Sequence, residues 1–314
     1  MLADKPDLYI IYFIEYIEYQ VGECELVIAE LRNVTMKYGQ LVALDEVSFS
    51  LEQGEAIAVL GPNGAGKTTS IRLLTGLKRI QQGEASLNGM DPQLPEARLS
   101  IGVTPQESSF PHAQRVGEIL DFARVHYPNP QSQADLLEAF DLKALENRLA
   151  IELSGGQQRR LAVALAFCGN PKTVFLDEPT TGIDAKSRQK MWDYIVQFKR
   201  DGGSIFLTTH YLEEAENIAD RIVLLNQGKV AASGTVEEIK NVIDVRIVRF
   251  SAKTDPVIPS ARLQEKRNDE YLFLANNADQ AVRELVNSGL EFENLEVLPA
   301  KLEDAVAELL SDRS

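Results

Sequence analysis

The chain has 314 residues, 44% of them hydrophobic and 25% charged, with a net charge of −15 at pH 7. This is the composition of a globular protein with enough chain for a substantial core, and its acidity disfavours binding along a nucleic-acid backbone. The two cysteines, Cys24 and Cys168, exclude a disulfide framework and offer no metal-ligand spacing, and no apolar run reaches the roughly 20 residues of a membrane helix.

Residues 1–24 read as an N-terminal extension. Tyr9, Tyr12, Tyr16 and Tyr19 recur at helical spacing there. The segment either packs on a neighbouring surface or lies as an interfacial helix; Glu rather than Lys or Arg on its polar face favours packing. The pattern changes from residue 25. "LVIAELRNVTMKY" and "VALDEVSFSLEQG" predict two antiparallel strands with turns around Gly39 and Gly54. Ala56–Leu60 predicts a buried strand, followed by a glycine-rich loop and a helix with Ile71, Leu73, Leu74 and Leu77 on its face. "GEASLNG" is a further strand, and Arg98–Val103 predicts another, ending at "TPQES". Residues 116–150 are helical in character, broken at "YPNPQSQ" and around Asp141, with Leu136, Leu137, Phe140, Leu142 and Leu145 facing a core.

Strand and helix then alternate: "TVFLDEP", a helix over Ala185–Arg200, "SIFLTTH", a helix over Tyr211–Ala219, and a hairpin in "RIVLLNQGKVAASG". Such alternation implies an α/β fold with a mostly parallel sheet. Residues 241–314 predict a small α+β accessory domain. Its parts are the alternating "DVRIVRF", a hairpin from "ARLQEK" and "EYLFLAN", the amphipathic "ADQAVRELVNSG" with its glycine cap, and a last strand and helix.

The chemistry concentrates in residues 25–240. "GPNGAGKTT" comprises Gly61, Pro62, Asn63, Gly64, Ala65, Gly66, Lys67, Thr68 and Thr69, and fits a phosphate-binding loop between a strand and a helix. The glycines let backbone N–H groups converge on phosphates, Lys67 adds a point charge, and Thr68 offers its hydroxyl to Mg²⁺. "TVFLDEP" ends an apolar strand in Asp177, the expected Mg²⁺ carboxylate, and Glu178, placed to polarise an attacking water. Gln106 and His210 each end a strand. Gln106 is within range of a metal or water and His210 of a terminal phosphate, or both are ordinary hydrogen-bonded side chains. Tyr38, before a turn, either stacks on a base or packs. "ELSGGQQRR" starts a helix at Ser154, Gly155, Gly156 and Gln157, a second place where backbone donors favour an anion.

In this order, Tyr38, GPNGAGKTT, Gln106, LSGGQ, FLDEP, the loop "TGID" with Asp184, and His210 resemble the nucleotide-binding domain of ABC-type ATPases over about residues 26–239. The resemblance implies a P-loop NTPase fold with a mostly parallel core sheet, an antiparallel β subdomain and a helical subdomain at about 107–160. It implies ATP and Mg²⁺ as ligands, with Tyr38 on adenine, Thr68, Gln106 and Asp177 on the metal, Glu178 as general base and His210 as the switch histidine. Gln106 would also sense the membrane partner. Asp184 would couple two sites across a dimer, and Ser154–Gln157 would complete the ATP site of a second copy. "TTGID" departs mildly from the commoner "TSGLD" and preserves polarity and size.

The stretches "TTSIRLLTGL" and "TTHYLEEAENIADRIVLLNQGKVAASGT" and the C-terminal "KLEDAVAELL" resemble ATPase subunits of bacterial ABC-2-type exporters of drugs, antibiotics or sodium. That resemblance implies a separate integral membrane permease, faced by residues 116–150. It also implies a homodimer, or pairing with a similar subunit, peripheral on the cytoplasmic face of the membrane. The competing expectation is a soluble ABC ATPase without a permease, acting in complex assembly or remodelling.

Overall fold

The computed structural model describes residues 26–106, 109–111, 113–242, 246–299 and 302–311. The N-terminal extension, with Cys24, lies outside the described residues. Strands β1 (Val27–Tyr38) and β2 (Leu41–Glu52) pair antiparallel, as their turn signals require, and reverse at Gly39, whose φ is +62°. β4 (Gln82–Leu87) joins the other edge of β1 to complete a three-stranded sheet.

The central sheet has six strands in the order β5-β6-β7-β3-β8-β9. These are β3 (Ala56–Leu60), β5 (Ile101–Thr104), β6 (Thr173–Asp177), β7 (Ser204–Thr209), β8 (Arg221–Asn226) and β9 (Lys229–Thr235). The first five run parallel and β9 turns back antiparallel. β3, β6 and β7 are buried along their whole length, which explains their unbroken apolar runs. Alternate residues divide two cores. Ile57, Val59, Phe175 and Phe206 face the three-stranded sheet, where Phe206 meets Phe49 and Phe175 with ring centroids 5.9 and 5.5 Å apart. Ala58, Leu60, Leu176, Ile205 and Leu207 face the helices.

Helix α1 (Lys67–Leu74) follows the glycine-rich loop and buries Ile71, Leu73 and Leu74. Leu77 is not on its face: the chain turns at Gly76, with φ +68°, and Leu77 is exposed. The strand expected over Arg98–Val103 begins later, at Ile101, because Pro95 starts a 3-10 turn over Pro95–Arg98. The 116–150 stretch divides into α2 (Val116–Arg124), α3 (Gln133–Ala139) and two 3-10 turns, and α4 (Gly155–Phe167) follows. Leu120, Leu136, Leu137, Phe140, Leu142 and Leu145 join the helix-side core, where Phe167 packs edge-on to Tyr194. Beyond β6 come α5 (Ala185–Arg200), α6 (Leu212–Ile218) and α7 (Val236–Val242). Nothing in the apolar periodicity predicted α7, yet Thr235 and Glu238 form a reciprocal capping box at its start.

The C-terminal sheet is antiparallel, order β11-β12-β10-β13, from β10 (Arg246–Ala252), β11 (Ala261–Arg267), β12 (Glu270–Ala275) and β13 (Phe292–Pro299). One face is closed by α8 (Ala278–Asn287), capped by the Asn277 side chain, over a core of Val248, Phe250, Tyr271, Phe273 and Leu285. The last helix, α9 (Leu302–Ser311), leaves that core and packs Leu302 and Val306 into the helix-side core of the central sheet.

Candidate active site

Parallel strands deliver all their C-terminal ends to one edge of the sheet, so residues remote in sequence meet there. β3 runs into the loop 61–66, β5 into Gln106, β6 into Asp177 and Glu178, and β7 into His210. Two glycines make the loop possible. Gly61 (φ +153°) has Leu225 O only 2.3 Å from where a Cβ would stand. At Gly66 (φ +111°) a Cβ would meet Leu44 Cδ2 at 2.5 Å and Ala43 O at 2.6 Å. A side chain at either place would have to displace backbone.

Lys67 is 6% exposed, and its ammonium donates to Gly61 O (2.7 Å) and Pro62 O (3.2 Å), with Glu178 Oε1 at 3.9 Å. Burial lowers its pKa from the ordinary lysine value, against the opposing pull of Glu178 and Asp177. Thr68 Oγ1 donates to Asp177 Oδ1 (3.2 Å) and lies 3.4 Å from Gln106 Oε1. A hydroxyl, a carboxylate and an amide oxygen thus converge, the hard-oxygen chemistry that Mg²⁺ takes when substrate phosphates complete its shell. Among the described residues no cluster of His, Cys, Asp and Glu could hold a metal alone.

Asp177 is buried and held in place by the Thr208 hydroxyl. Glu178 adopts φ +52°, a sparsely populated conformation for a residue with a side chain, and its N–H donates to Thr208 O at 2.9 Å. Its carboxylate accepts from Thr181 Oγ1 (3.2 Å) and lies 3.2 Å from His210 Nδ1. His210 packs against Tyr211, the ring centroids 4.1 Å apart and the planes tilted by 38°. A cavity of about 600 Å³ is lined by Tyr38, the loop residues 62–69, Gln106, Glu178 and His210. Tyr38 is 37% exposed at that cavity, with Lys78 Nζ 5.2 Å from its ring centre.

Ser154, Gly155, Gly156 and Asp184 do not reach this cavity. Ser154 caps α4 by a reciprocal bond with Gln157: Gln157 N donates to Ser154 Oγ (3.3 Å) and Ser154 N to Gln157 Oε1 (3.0 Å). Ser154, Gly155 and Gly156 line a second hollow of about 570 Å³ that touches Gln106 and Glu178. Gly155 faces open space, whereas a Cβ at Gly156 would come 2.5 Å from Gly182 O. Asp184 caps α5 through Ser187 N at 3.0 Å, and that bond holds its carboxyl below the usual range.

Two residues escaped the sequence reading. Arg159 is 8% exposed and donates to the carbonyls of Pro105, Gln106, Asp177 and Glu178. The available signal was an arginine on a helix face otherwise made of Ala162, Val163 and Ala166. Glu214, wholly buried, accepts from Trp192 Nε1 at 3.1 Å, and burial raises its pKa. Nothing in "LEEAE" marks which of its carboxylates is inside.

Residues 44–181 match the ABC transporter family. Over 296 residues the chain is 33% identical to a daunorubicin resistance ATP-binding protein of Streptomyces coeruleorubidus, covering 88% of this chain and 93% of that one. The chain belongs to the ABC transporter family. Within this family it is also 42% identical over 211 residues to the doxorubicin resistance ATP-binding protein DrrA of Mycobacterium tuberculosis, covering 65% of this chain. It spans 63%, less than two thirds, of that relative's length. Its fold is similar to a dimeric ATP-binding cassette in a post-hydrolysis state with ADP and Pi bound (TM-score 0.60, 26% identity, 66% of this chain and 98% of that one). Over the part of the chain that is covered, the fold is therefore that of an ABC ATPase.

Proposed function

We propose that this chain is the ATP-binding and ATP-hydrolysing subunit of an ABC exporter, driving transport through a separate membrane permease. The observation that carries the reading is the convergence of Lys67, Thr68, Gln106, Asp177, Glu178 and His210 at one edge of the sheet. In this reading residues 61–69 cradle the phosphates, with Lys67 turning from the loop carbonyls to the substrate. Tyr38 stacks on the base. Thr68, Gln106 and Asp177 hold Mg²⁺, which when bound neutralises charge on the transferred phosphoryl group. Glu178 accepts the proton of the attacking water, and His210 steadies both Glu178 and the terminal phosphate.

Closure of two cassettes on ATP, and their parting once the γ-phosphate is gone, supplies the motion. Relatives named for drug resistance support export as its direction. Residues 116–150 face the permease: Phe122 and Val125 on and just beyond α2 are 64% and 77% exposed. Among the described residues no helix is long and apolar enough to cross a membrane. In this reading the chain sits peripherally on the cytoplasmic face of the membrane, and the permease supplies the spans.

Lys67→Ala protein should lose ATP turnover on the order of 100-fold and lose most of the thermal stabilisation that ATP gives the wild type. Unchanged hydrolysis would remove the phosphate-loop assignment. For the permease, the tagged full chain isolated from detergent-solubilised membranes should carry an integral membrane protein with it. Recovery from the soluble fraction alone would favour an ABC ATPase working without a permease.

A further inference from the structure

The β5–β6 ladder ends at the pair Thr104 and Leu176. The next residues on the two strands are Pro105 and Gln106 on one and Asp177 and Glu178 on the other. Pro105 has no N–H to continue the ladder, so on this side carbonyls outnumber the donors that could meet them. The guanidinium of Arg159 takes the place of the missing rungs. Nε donates to Glu178 O at 3.1 Å, Nη1 to Pro105 O at 2.5 Å and Gln106 O at 3.0 Å, and Nη2 to Asp177 O. All four acceptors are main-chain carbonyls. Burial disfavours the charge and lowers its pKa, with Asp177, Glu178 and Glu214 opposing the shift. A planar fork with five donors can satisfy this set, and an ammonium cannot.

Arg159 stands in the second turn of α4, the helix capped by Ser154. Its other end grips the backbone that presents Gln106 and Glu178. We infer that Arg159 is a positioning residue, which sets the spacing of Gln106 and Glu178 and ties both to the helix that carries Ser154 and Gly155. A displacement of the start of α4, such as a second copy would impose on it, thereby shifts the Gln106 and Glu178 backbone together. The inference rests on the ATPase reading above and assigns to Arg159 no contact with substrate.

The test measures ATP affinity, kcat, KM, the Mg²⁺ concentration for half-maximal turnover and the thermal midpoint on the full chain. Arg159→Met, which keeps the apolar stem and removes the fork, should bind ATP within about threefold of wild type while kcat falls on the order of 100-fold, the effect of about an ångström of misplacement. Its half-saturating Mg²⁺ should rise about tenfold, the usual result of losing support behind metal ligands. Arg159→Lys should stand between, about tenfold below wild type in kcat.

Wild-type kcat in Arg159→Met would overturn the inference. So would parallel losses of ATP affinity, kcat and thermal midpoint in both variants, the mark of a residue that only packs. Should Arg159→Met fail to fold, Arg159→Lys decides: lowered kcat at wild-type ATP affinity supports the assignment, and wild-type kcat and Mg²⁺ response overturn it. A wild-type chain with no ATP turnover overturns the ATPase reading and this one with it. An active wild type with an unaffected Arg159→Met overturns only this one.

Discussion

Glu178→Gln protein should bind ATP with nearly wild-type affinity and hydrolyse it roughly a thousandfold more slowly, within the range that a positioned general base contributes. The substitution preserves shape and removes the ability to accept a proton. Glu178 suits that task because several independent contacts fix it. Its N–H is tied to Thr208 O, its carboxylate lies between His210 Nδ1 and Thr181 Oγ1, and its backbone is held at φ +52°. A left-handed backbone at a non-glycine residue costs on the order of 1 kcal/mol or more, and the surrounding bonds maintain it. Steady-state turnover and nucleotide titration on the same preparation check the prediction. Turnover within about threefold of wild type would take the base role from Glu178.

Ser154→Arg should leave ATP binding by the isolated chain within about threefold of wild type and abolish turnover, because Ser154 does not line the cavity of Lys67 and Glu178 in its own chain. Gly155 faces open space beside it, so the new side chain would project where a second copy's nucleotide sits in the proposed dimer. A mixing experiment makes the claim specific. In a mixed dimer of Ser154→Arg and Lys67→Ala chains, one composite site carries both defects and the other carries neither. Mixing two inactive proteins should therefore restore a measurable fraction of turnover. If Ser154→Arg protein is active alone, or if the mixture stays inactive while the two chains associate, the composite site is wrong.

Much of this arrangement is legible from local pattern. A parallel strand buried on both faces reads as an unbroken apolar run, and β3, β6 and β7 stand where those runs predict. The loop before α1 is legible because a phosphate cradle needs glycine at Gly61 and Gly66, where neighbouring backbone leaves no room for a Cβ. The paired strands β1 and β2 and the hairpin β8–β9 follow from turn residues. The misreadings are local too. Leu77 fits the helical spacing but lies past a glycine that turns the chain, and Pro95 delays the start of β5.

The sequence alone determined the strand-helix alternation, the phosphate loop, the acidic strand end and the order of the motifs. All of these are carried by neighbouring residues whose spacing and backbone preference act over a few positions. Only the tertiary structure decided that Arg159 grips four carbonyls past the end of the β5–β6 ladder, that Glu214 rather than its neighbours is buried on Trp192, and that α9 returns to the central core. In each case the partner lies far along the chain. An arginine or a glutamate in a helix carries no local mark of which distant carbonyl or indole will stand opposite. That pairing exists only once the sheet has brought its strand ends together, because a buried polar group takes whatever partner the packed fold leaves unmet.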